Sequence, residues 1–307
     1  MSAGSSPQAD TGWSGTQPIA GLGAVADRYD GFILDQWGVL HDGKTPYPGA
    51  LDCLKALRES GKRVVVLSNS GKRNDYNVAL MARIGFTPDL YDEMISAGED
   101  AWRGLASRGK HGADDFYAGL GRRCYATRRP GDSSFLDGVD IDLVEDVGQA
   151  DFLLLIGDAR DSGLLEAYKG LIAQGLARGL PMVCANPDTH RVDGGKLAEA
   201  IGLVAEEYER RGGRVQWHGK PHPPIYRSCL ASLGLSDKGR ILAVGDSLGH
   251  DIEGASRFGC DSALVADGIH GPALGVSGNM LPSDAAWRGF IADKPVRPTY
   301  LMGRFVW

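Results

Sequence analysis

The sequence predicts a doubly wound, parallel-sheet α/β core of the Rossmann-like kind, interrupted by a second, inserted α/β domain. Short apolar runs that end abruptly in polar or glycine residues recur along the 307-residue chain, and helical patterns lie between them. Apolar runs without polar alternation are typical of strands that are covered on both faces, as in parallel sheets. Their alternation with helices predicts right-handed βαβ units.

Each predicted strand is a run of β-branched residues and leucines. In chain order the runs are Gly31–Leu34, Val64–Leu67, Phe152–Ile156, a weaker run at Pro181–Ala185, and Ile241–Val244. Three segments have apolar residues at helical spacing and are followed by a glycine suited to a helix C-terminus: Ala50–Ser60, Tyr76–Ile84 and Leu164–Arg178.

The pattern also predicts the domain organisation. Residues 1–20 form a polar, Gly/Ser-rich leader that we expect to be flexible. Residues 91–213 have their own strand and helix alternation, so we expect them to form the inserted cap domain. Residues 21–90 and 214–307 then form the core domain.

Composition narrows the class of protein. A hydrophobic content of 43%, a charged content of 23% and a net charge of −6 are ordinary for a globular chain, and no Lys/Arg run offers a nucleic-acid footprint. No segment approaches the about 18 apolar residues that cross a membrane, and the N-terminus lacks a signal-peptide pattern. Five scattered cysteines without a CxxC pair favour a reducing compartment. We therefore expect a cytoplasmic protein with no nucleic-acid or membrane partner.

Polar residues at the predicted strand ends supply the chemistry. In open α/β sheets the ligand binds outside the carboxyl ends of the strands, where Asp35, Ser68 and Asp246 lie. Phosphoryl transfer to a carboxylate needs a nucleophile, a hydroxyl donor, a cation and oxygen ligands for Mg²⁺. The candidates are Asp35 as the nucleophile, Ser68 as the hydroxyl donor and Lys220 as the cation. Asp246 and Asp251 are the candidate carboxylates on the side of the metal ion.

Four motifs occur in order: DQWGVL at 35–40, LSN at 67–69, GKP at 219–221 and GDSLGHDI at 245–252. This set resembles the four motifs of the haloacid dehalogenase (HAD) superfamily. The run NPDTH at 186–190 looks like the class IIA branch, the NagD and p-nitrophenylphosphatase type. The resemblance covers nearly the whole chain from about Asp30 onward, with the cap inserted between the second and third motifs.

The resemblance implies a Mg²⁺-dependent hydrolase, acting on a small phosphorylated metabolite through an aspartyl-phosphate. It also implies a homodimer formed through the cap. By position, the implied catalytic residues are Asp35 and Lys220. The implied phosphate- or substrate-binding residues are Ser68, Asn69, Lys220, Asn186 and Asp188. The implied Mg²⁺ ligands are Asp35, the main-chain carbonyl of Trp37, Asp246 and Asp251.

Residue 37 departs from the family pattern. Phosphatases of the family have a second Asp two positions after the nucleophile, which protonates the leaving group and later activates water. Such acid/base catalysis contributes roughly 10²–10⁴-fold, and the indole of Trp37 cannot provide it at neutral pH. Three alternatives are open. Another residue (His41, Asp42 or His250) takes the role; the leaving group needs no acid, as in an acyl phosphate or activated phosphoester; or the chain is a slow or non-catalytic regulatory relative that binds Mg²⁺ and phosphate.

Simpler interpretations accompany several of these residues. Asp251 is also placed to cap a helix at Ile252–Phe258, and Asn186-Pro187-Asp188 is also a common turn sequence. The histidines His218, His222 and His250 lack the spacing of a helical zinc pair. A dinucleotide-binding oxidoreductase is disfavoured because no GxGxxG follows the first strand.

Overall fold

The structure is a computed structural model that describes residues 13–111, 114–128, 133–193 and 196–307. Its strands are β1 (Gln17–Pro18), β2 (Gly31–Asp35), β3 (Arg63–Ser68), β4 (Glu93–Ser96), β5 (Arg123–Thr127), β6 (Asp142–Leu143), β7 (Phe152–Leu155), β8 (Met182–Cys184), β9 (His190–Asp193), β10 (Lys196–Glu199), β11 (Val215–Trp217), β12 (Ile241–Gly245), β13 (Asp261–Val265) and β14 (Tyr300–Met302).

Helices alternate with these strands. They are α1 (Ala50–Glu59), α2 (Asn74–Arg83), α3 (Ala97–Ser107), α4 (Asp115–Ala118), α5 (Leu164–Ala167), α6 (Lys169–Arg178), α7 (Gly202–Arg210), α8 (Pro223–Leu233), α9 (Glu253–Phe258), α10 (Gly271–Leu274) and α11 (Asp284–Ile291). Within the described ranges, none of the helices has both the length and the apolar character needed to cross a membrane. The first twelve residues of the predicted leader lie outside the described ranges, and β1 lies within its last part.

A seven-stranded sheet has the order β1-β14-β13-β12-β2-β3-β4. The chain proceeds to one side from β2 and to the other side from β12, so the switch point of the topology falls between these two strands. β2 and β12 pair in parallel, with Val244 opposite Leu34. Asp35 ends β2 and Asp246 directly follows β12. The fold therefore brings these two carboxylates to the crevice where open α/β sheets bind ligands.

A five-stranded sheet has the order β11-β8-β7-β5-β6, and its four strand pairings are all parallel. Alternate residues of β7 enter two different cores: Leu153 and Leu155 join one cluster, whereas Phe152 and Leu154 join the other. Because both faces of the strand are buried, its sequence is an unbroken apolar run. The antiparallel pair β9–β10 forms a separate two-stranded sheet.

The chain divides into two compact units. Unit 1 contains residues up to Val66, Ile84–Glu93 and Leu230–Trp307, and unit 2 contains Leu67–Arg83 and Met94–Cys229. The division at residues 91 and 213 into core and cap stays a prediction. The predicted α/β fold class with parallel sheets is confirmed.

One predicted helix differs from the structure. The segment predicted as a single helix over Leu164–Arg178 is two helices, α5 and α6, separated at Tyr168. The Tyr168 hydroxyl donates a hydrogen bond to Asp158, ten residues earlier in the chain. We attribute the break to this tertiary contact, which helical periodicity does not reveal.

Candidate active site

Three carboxylates of unit 1, Asp35, Asp246 and Asp251, form what we call the carboxylate cluster. Each offers an oxygen, and these oxygens lie within 4.8 Å of one another. Asp35 and Asp251 are buried and Asp246 is partly buried. Like charges this close destabilise one another unless a cation or a proton offsets them. An all-oxygen ligand set suits a hard divalent cation such as Mg²⁺, so these residues fit the ion that the sequence predicts.

Glycines allow the backbone to approach the cluster closely. A Cβ atom on Gly38 would lie 2.0 Å from Oδ2 of Asp246, and one on Gly268 would lie 2.2 Å from Cβ of Asp246. A Cβ on Gly245 would lie 2.0 Å from Cγ of Asp251. Gly38 also has a φ of +76°, which disfavours other residues. The side chains of Asp246 and Asp251 are therefore positioned by packing against bare backbone.

Main-chain amides orient the carboxylates, beginning with Asp35 and Asp246. Oδ1 of Asp35 accepts a hydrogen bond from the Gln36 N–H at 2.7 Å. Oδ2 of Asp246 accepts one from the Ile269 N–H at 2.8 Å. Such bonds stabilise the ionised form of a carboxylate, which is the form that attacks phosphorus or binds a cation.

Asp251 lies on a π-helical turn, Leu248–Ile252, that precedes α9. Its Oδ2 accepts a hydrogen bond from the Ser247 N–H at 3.1 Å. Residue 252 is the N-cap of α9, and no side chain makes a cap hydrogen bond there. Asp251 therefore does not act as the helix cap that the sequence also allowed, and the turn directs it to the cluster instead.

The loop after Asp35 carries Trp37, whose side chain is 49% exposed. Its ring packs on Gly43, where an added Cβ would lie 2.3 Å from a ring carbon. The His41 ring lies edge-on to it, with 5.2 Å between ring centroids. The contact of the Trp37 carbonyl with a metal ion stays a prediction.

The two candidate acids nearest to Trp37 in sequence each accept hydrogen bonds from main-chain N–H groups. His41 is fully buried, and its Nδ1 accepts a hydrogen bond from the Gly43 N–H at 2.9 Å. Burial lowers the pKa of His41 to about 4, so the imidazole is neutral near pH 7. The Asp42 carboxylate accepts hydrogen bonds from the N–H groups of Thr45 and Lys44, and these lower its pKa. Neither residue has an acidic proton to donate at neutral pH.

In unit 2, Asn69 makes a set of three hydrogen bonds that we call the Asn69 clasp. Its Nδ2 donates to Oδ1 of Asp188 at 2.8 Å and to the Lys220 carbonyl at 3.2 Å. Its Oδ1 accepts from the Lys220 N–H at 2.7 Å. The clasp brings three predicted site residues together. Because both amide hydrogens are engaged, the Asn69 side chain holds Lys220 in place and has no hydrogen left for a phosphoryl oxygen in this arrangement.

The turn at Asn186–Asp188 packs against the segment that carries Lys220. Oδ1 of Asn186 accepts a hydrogen bond from the Asp188 N–H at 3.1 Å, which makes a local Asx turn. Pro187 packs against Gly219, where a Cβ would lie 2.7 Å from the proline Cγ. The sequence allowed either a common turn or a site loop. The structure shows a turn, and the Pro187 ring in it packs on Gly219, the residue before Lys220.

Ser68 is the last residue of β3 and is buried. Its Oγ accepts a weak hydrogen bond from the Ser70 N–H at 3.3 Å. Lys220 is also buried, with only 3% of its surface exposed. A buried lysine is unusual unless it is paired or functional, and this favours a role beyond the solvated surface for Lys220.

A buried network beside Lys220 was not predicted. Nδ1 of His218 lies 2.6 Å from Oδ2 of Asp100, and its Nε2 is hydrogen-bonded to the Tyr117 hydroxyl. The Ser228 hydroxyl donates to the other oxygen of Asp100 at 2.5 Å. Burial acts to raise the pKa of Asp100, but the bonds from His218 and Ser228 hold it below its usual value. The residues of this network come from distant parts of the sequence, so no local motif reveals them.

Two protein-family models match separate parts of the chain. A family model for haloacid dehalogenase-like hydrolases matches residues 32–142, and a second HAD-hydrolase-like model matches residues 217–285. Chronophin of Rattus norvegicus is 28% identical over 265 residues, which cover 81% of this chain and 80% of the relative. D-glycerol 3-phosphate phosphatase of Mycobacterium tuberculosis is 25% identical over 282 residues, covering 91% and 70%.

Solved structures agree with these matches. A haloacid dehalogenase-like hydrolase from Brucella suis 1330 superposes with a TM-score of 0.74 at 29% identity, covering 93% of this chain and 99% of that one. NagD from E. coli K-12 has a TM-score of 0.63 at 22% identity, covering 89% and 95%, and shows the same fold. The family predicted from the motifs is thus confirmed. The chain belongs to the haloacid dehalogenase-like hydrolases.

Proposed function

We propose that the chain is a Mg²⁺-dependent phosphatase that acts on a small phosphorylated metabolite through an aspartyl-phosphate at Asp35. The observation that carries this proposal is the carboxylate cluster at the switch point of the sheet. One of the two relatives described above adds support, since it is named as a phosphatase of a small phosphate ester.

The described side chains suggest a division of roles. Asp35, Asp246 and Asp251, with the Trp37 carbonyl, would hold Mg²⁺, and the bound ion would neutralise charge on the phosphoryl oxygens. Ser68 and Lys220 would bind phosphoryl oxygens. Asn69 and Asp188 would act as positioning residues, because the Asn69 clasp fixes both main-chain groups of Lys220. Asn186 would act through the turn that carries Asp188.

Asp35 takes part in both proposed steps. In the first, a carboxylate oxygen of Asp35 forms a bond to phosphorus while the bond from phosphorus to the leaving-group oxygen breaks. In the second, water attacks the aspartyl-phosphate, and the products are inorganic phosphate and the regenerated Asp35 carboxylate. The first step needs a proton for a basic leaving group, and the second needs a base for water.

The alternative is a slow or non-catalytic relative that binds Mg²⁺ and phosphate for regulation. Trp37 favours this alternative, since the residue that should handle protons is an indole, and neither His41 nor Asp42 replaces it. His250, on the turn that carries Asp251, is the one remaining replacement acid among our three candidates.

A phosphate-ester panel with Mg²⁺ tests the proposal. We expect wild type to hydrolyse at least one ester and Asp35→Asn to lose roughly 10³-fold or more of kcat. Asp52→Asn is a matched control, because Asp52 lies on α1 with a side chain that is 86% exposed. Full activity in Asp35→Asn would contradict the mechanism. No turnover, together with Mg²⁺-dependent phosphate binding by calorimetry, would establish the regulatory alternative.

We also propose a core formed by residues 21–90 and 214–307, a cap formed by 91–213, and a homodimer formed through the cap. A reducing, cytoplasmic location is supported by the cysteines, all five of which are free thiols. Sedimentation velocity over a range of protein concentrations measures the oligomeric state, and a monomer at all concentrations would contradict the dimer.

A further inference from the structure

Two large apolar side chains remain exposed on the loops that adjoin the carboxylate cluster. Trp37 is 49% exposed and Ile269 is 67% exposed. Both loops contact Asp246: Gly38, next to Trp37, packs on its carboxylate, and the Ile269 N–H donates to the same group. Ligand sites combine apolar walls with a few polar groups, so an exposed large apolar side chain beside the cluster is placed to contact a ligand.

The Trp37 ring is held in place despite its exposure. One part packs on Gly43, and the His41 ring lies edge-on at 5.2 Å with an angle of 67° between the planes. His41 is itself fixed by burial and by the bond from the Gly43 N–H. A flat ring that is already ordered loses little entropy when a second ring stacks on it.

The chemistry of the leaving group leads to the same conclusion. An alkyl phosphate releases an alkoxide, a strong base that must be protonated as the bond to phosphorus breaks. A phenol or enol oxygen leaves as a stabilised anion and needs this proton far less. On the described loop after Asp35, residue 37 is an indole, His41 is buried, and Asp42 accepts hydrogen bonds within its own turn. This loop is therefore poorly equipped for alkyl phosphates.

We propose that Trp37 determines substrate class: the enzyme selects phosphate esters of planar, weakly basic aryl or enol oxygens, which stack on the indole, over alkyl phosphates. This inference rests on the proposed function. A phosphoester that brings its phosphorus to Asp35 places its remaining atoms among the side chains around the cluster, where the large apolar side chains of Trp37 and Ile269 are exposed.

The proposed step balances without an added proton. An oxygen of the Asp35 carboxylate forms a bond to phosphorus, the bond from phosphorus to the aryl oxygen breaks, and the electron pair leaves with the aryl oxide. The products are the aspartyl-phosphate and a phenolate or enolate, which takes its proton from solvent after release.

The test compares phenyl phosphate with glycerol 3-phosphate, in Mg²⁺, for wild type and for Trp37→Leu. We expect wild type to prefer phenyl phosphate by roughly 10²-fold or more in kcat/KM, the scale of a missing general acid. Trp37→Leu should raise KM for phenyl phosphate roughly 2- to 12-fold more than it raises KM for glycerol 3-phosphate, from the loss of aromatic stacking. Trp37→Asp should increase turnover of glycerol 3-phosphate by roughly 10²–10⁴-fold.

Trp307→Leu is the matched control. Trp307 is 48% exposed and packs on Gly23, where a Cβ would lie 3.1 Å from the indole, so it matches Trp37 in exposure and in packing on a glycine. We expect Trp307→Leu to keep the wild-type preference. A second readout uses calorimetry with two non-hydrolysable probes, phenylphosphonate and methylphosphonate, and we expect wild type but not Trp37→Leu to bind the phenyl probe more tightly.

The outcomes separate this inference from the proposed function. Equal turnover of the two esters, with Asp35 still essential, would overturn the inference and leave the function standing. If no ester is hydrolysed but the phenyl probe binds in a Trp37-dependent manner, the function fails while recognition by Trp37 is supported. No preference between the two probes in binding would overturn recognition by Trp37.

Discussion

Replacement of Asn69 by alanine should weaken both the fold and phosphate binding. The side chain is 8% exposed and makes two hydrogen bonds to the main chain of Lys220 and one to the Asp188 carboxylate. Each neutral bond contributes about 1 kcal/mol and the bond to the carboxylate about 1.5–3 kcal/mol. We therefore expect Asn69→Ala to lower the free energy of unfolding by roughly 3–5 kcal/mol, measured by urea denaturation.

The kinetic effect follows from the position of Lys220. Asn69→Ala removes both side-chain hydrogen bonds to the Lys220 main chain. A misplacement of a catalytic group by about 1 Å can reduce a rate by about 10²-fold. We expect Asn69→Ala to lower kcat/KM on that scale. Asn69→Asp keeps an acceptor for the Lys220 N–H but sets a second carboxylate beside Asp188, so it should be no more stable than Asn69→Ala.

Asn77→Ala is the control for loss of a buried amide. Asn77 is 2% exposed and donates to the carbonyls of Lys72 and Arg73, five and four residues earlier in the chain. We expect this variant to lose about 1–2 kcal/mol of stability and to keep wild-type kinetics. Unchanged stability and unchanged kcat/KM in Asn69→Ala would refute the role that we assign to the clasp.

Three further predictions concern unit 1. Gly38→Ala should weaken Mg²⁺ binding, measured by calorimetry, because its Cβ would displace the Asp246 carboxylate. Gly61→Ala is the control: Gly61 also has a positive φ, +70°, but a Cβ there would meet nothing within 4 Å, so this variant should lose stability only. His41 has a folded pKa of about 4, below its ordinary value of 6.5, so its contribution is fully present above pH 6.5 and is lost as the pH falls towards 4. Urea titrations should show a loss of roughly 2–3 kcal/mol by about pH 4.5 that is smaller in His41→Asn; equal losses would contradict this assignment. His250→Asn should keep turnover of phenyl phosphate within about threefold, whereas a fall on the roughly 10²-fold scale of a general acid would identify His250 as the missing acid.

The strand ends that carry the site could be predicted from the sequence. An apolar run that stops at a carboxylate indicates a buried strand whose last residue reaches the sheet edge, as at Asp35 and Asp246. This inference needs only local pattern and the rule for ligand position in open α/β sheets. The bounds of β2 and β12 accordingly match the predicted runs to within one residue at each end.

Contacts between distant segments could not be predicted in the same way. Gly268 packs on Asp246, and Ile269 donates to it, although both lie more than twenty residues further along the chain. The hydrogen bonds of Asn69 are a further example: the family resemblance implies a phosphate contact, and the structure adds bonds from its side chain to Lys220 and Asp188 that the motif does not reveal. Such pairings depend on how loops pack, which periodicity and motif spacing do not encode.

Direct capture of the phosphorylated intermediate tests the central claim, that Asp35 is the nucleophile. Wild type is mixed with ³²P-labelled phenyl phosphate and Mg²⁺, quenched in acid, and digested for peptide mapping. Because residue 37 provides no base to activate water, we expect the second step to be slow, and close to one label per chain to accumulate on the peptide that contains Asp35. Hydroxylamine should release that label, as it does from an acyl phosphate, and Asp35→Asn should carry none. Turnover of phenyl phosphate without label on Asp35, or label on another residue, would contradict the account.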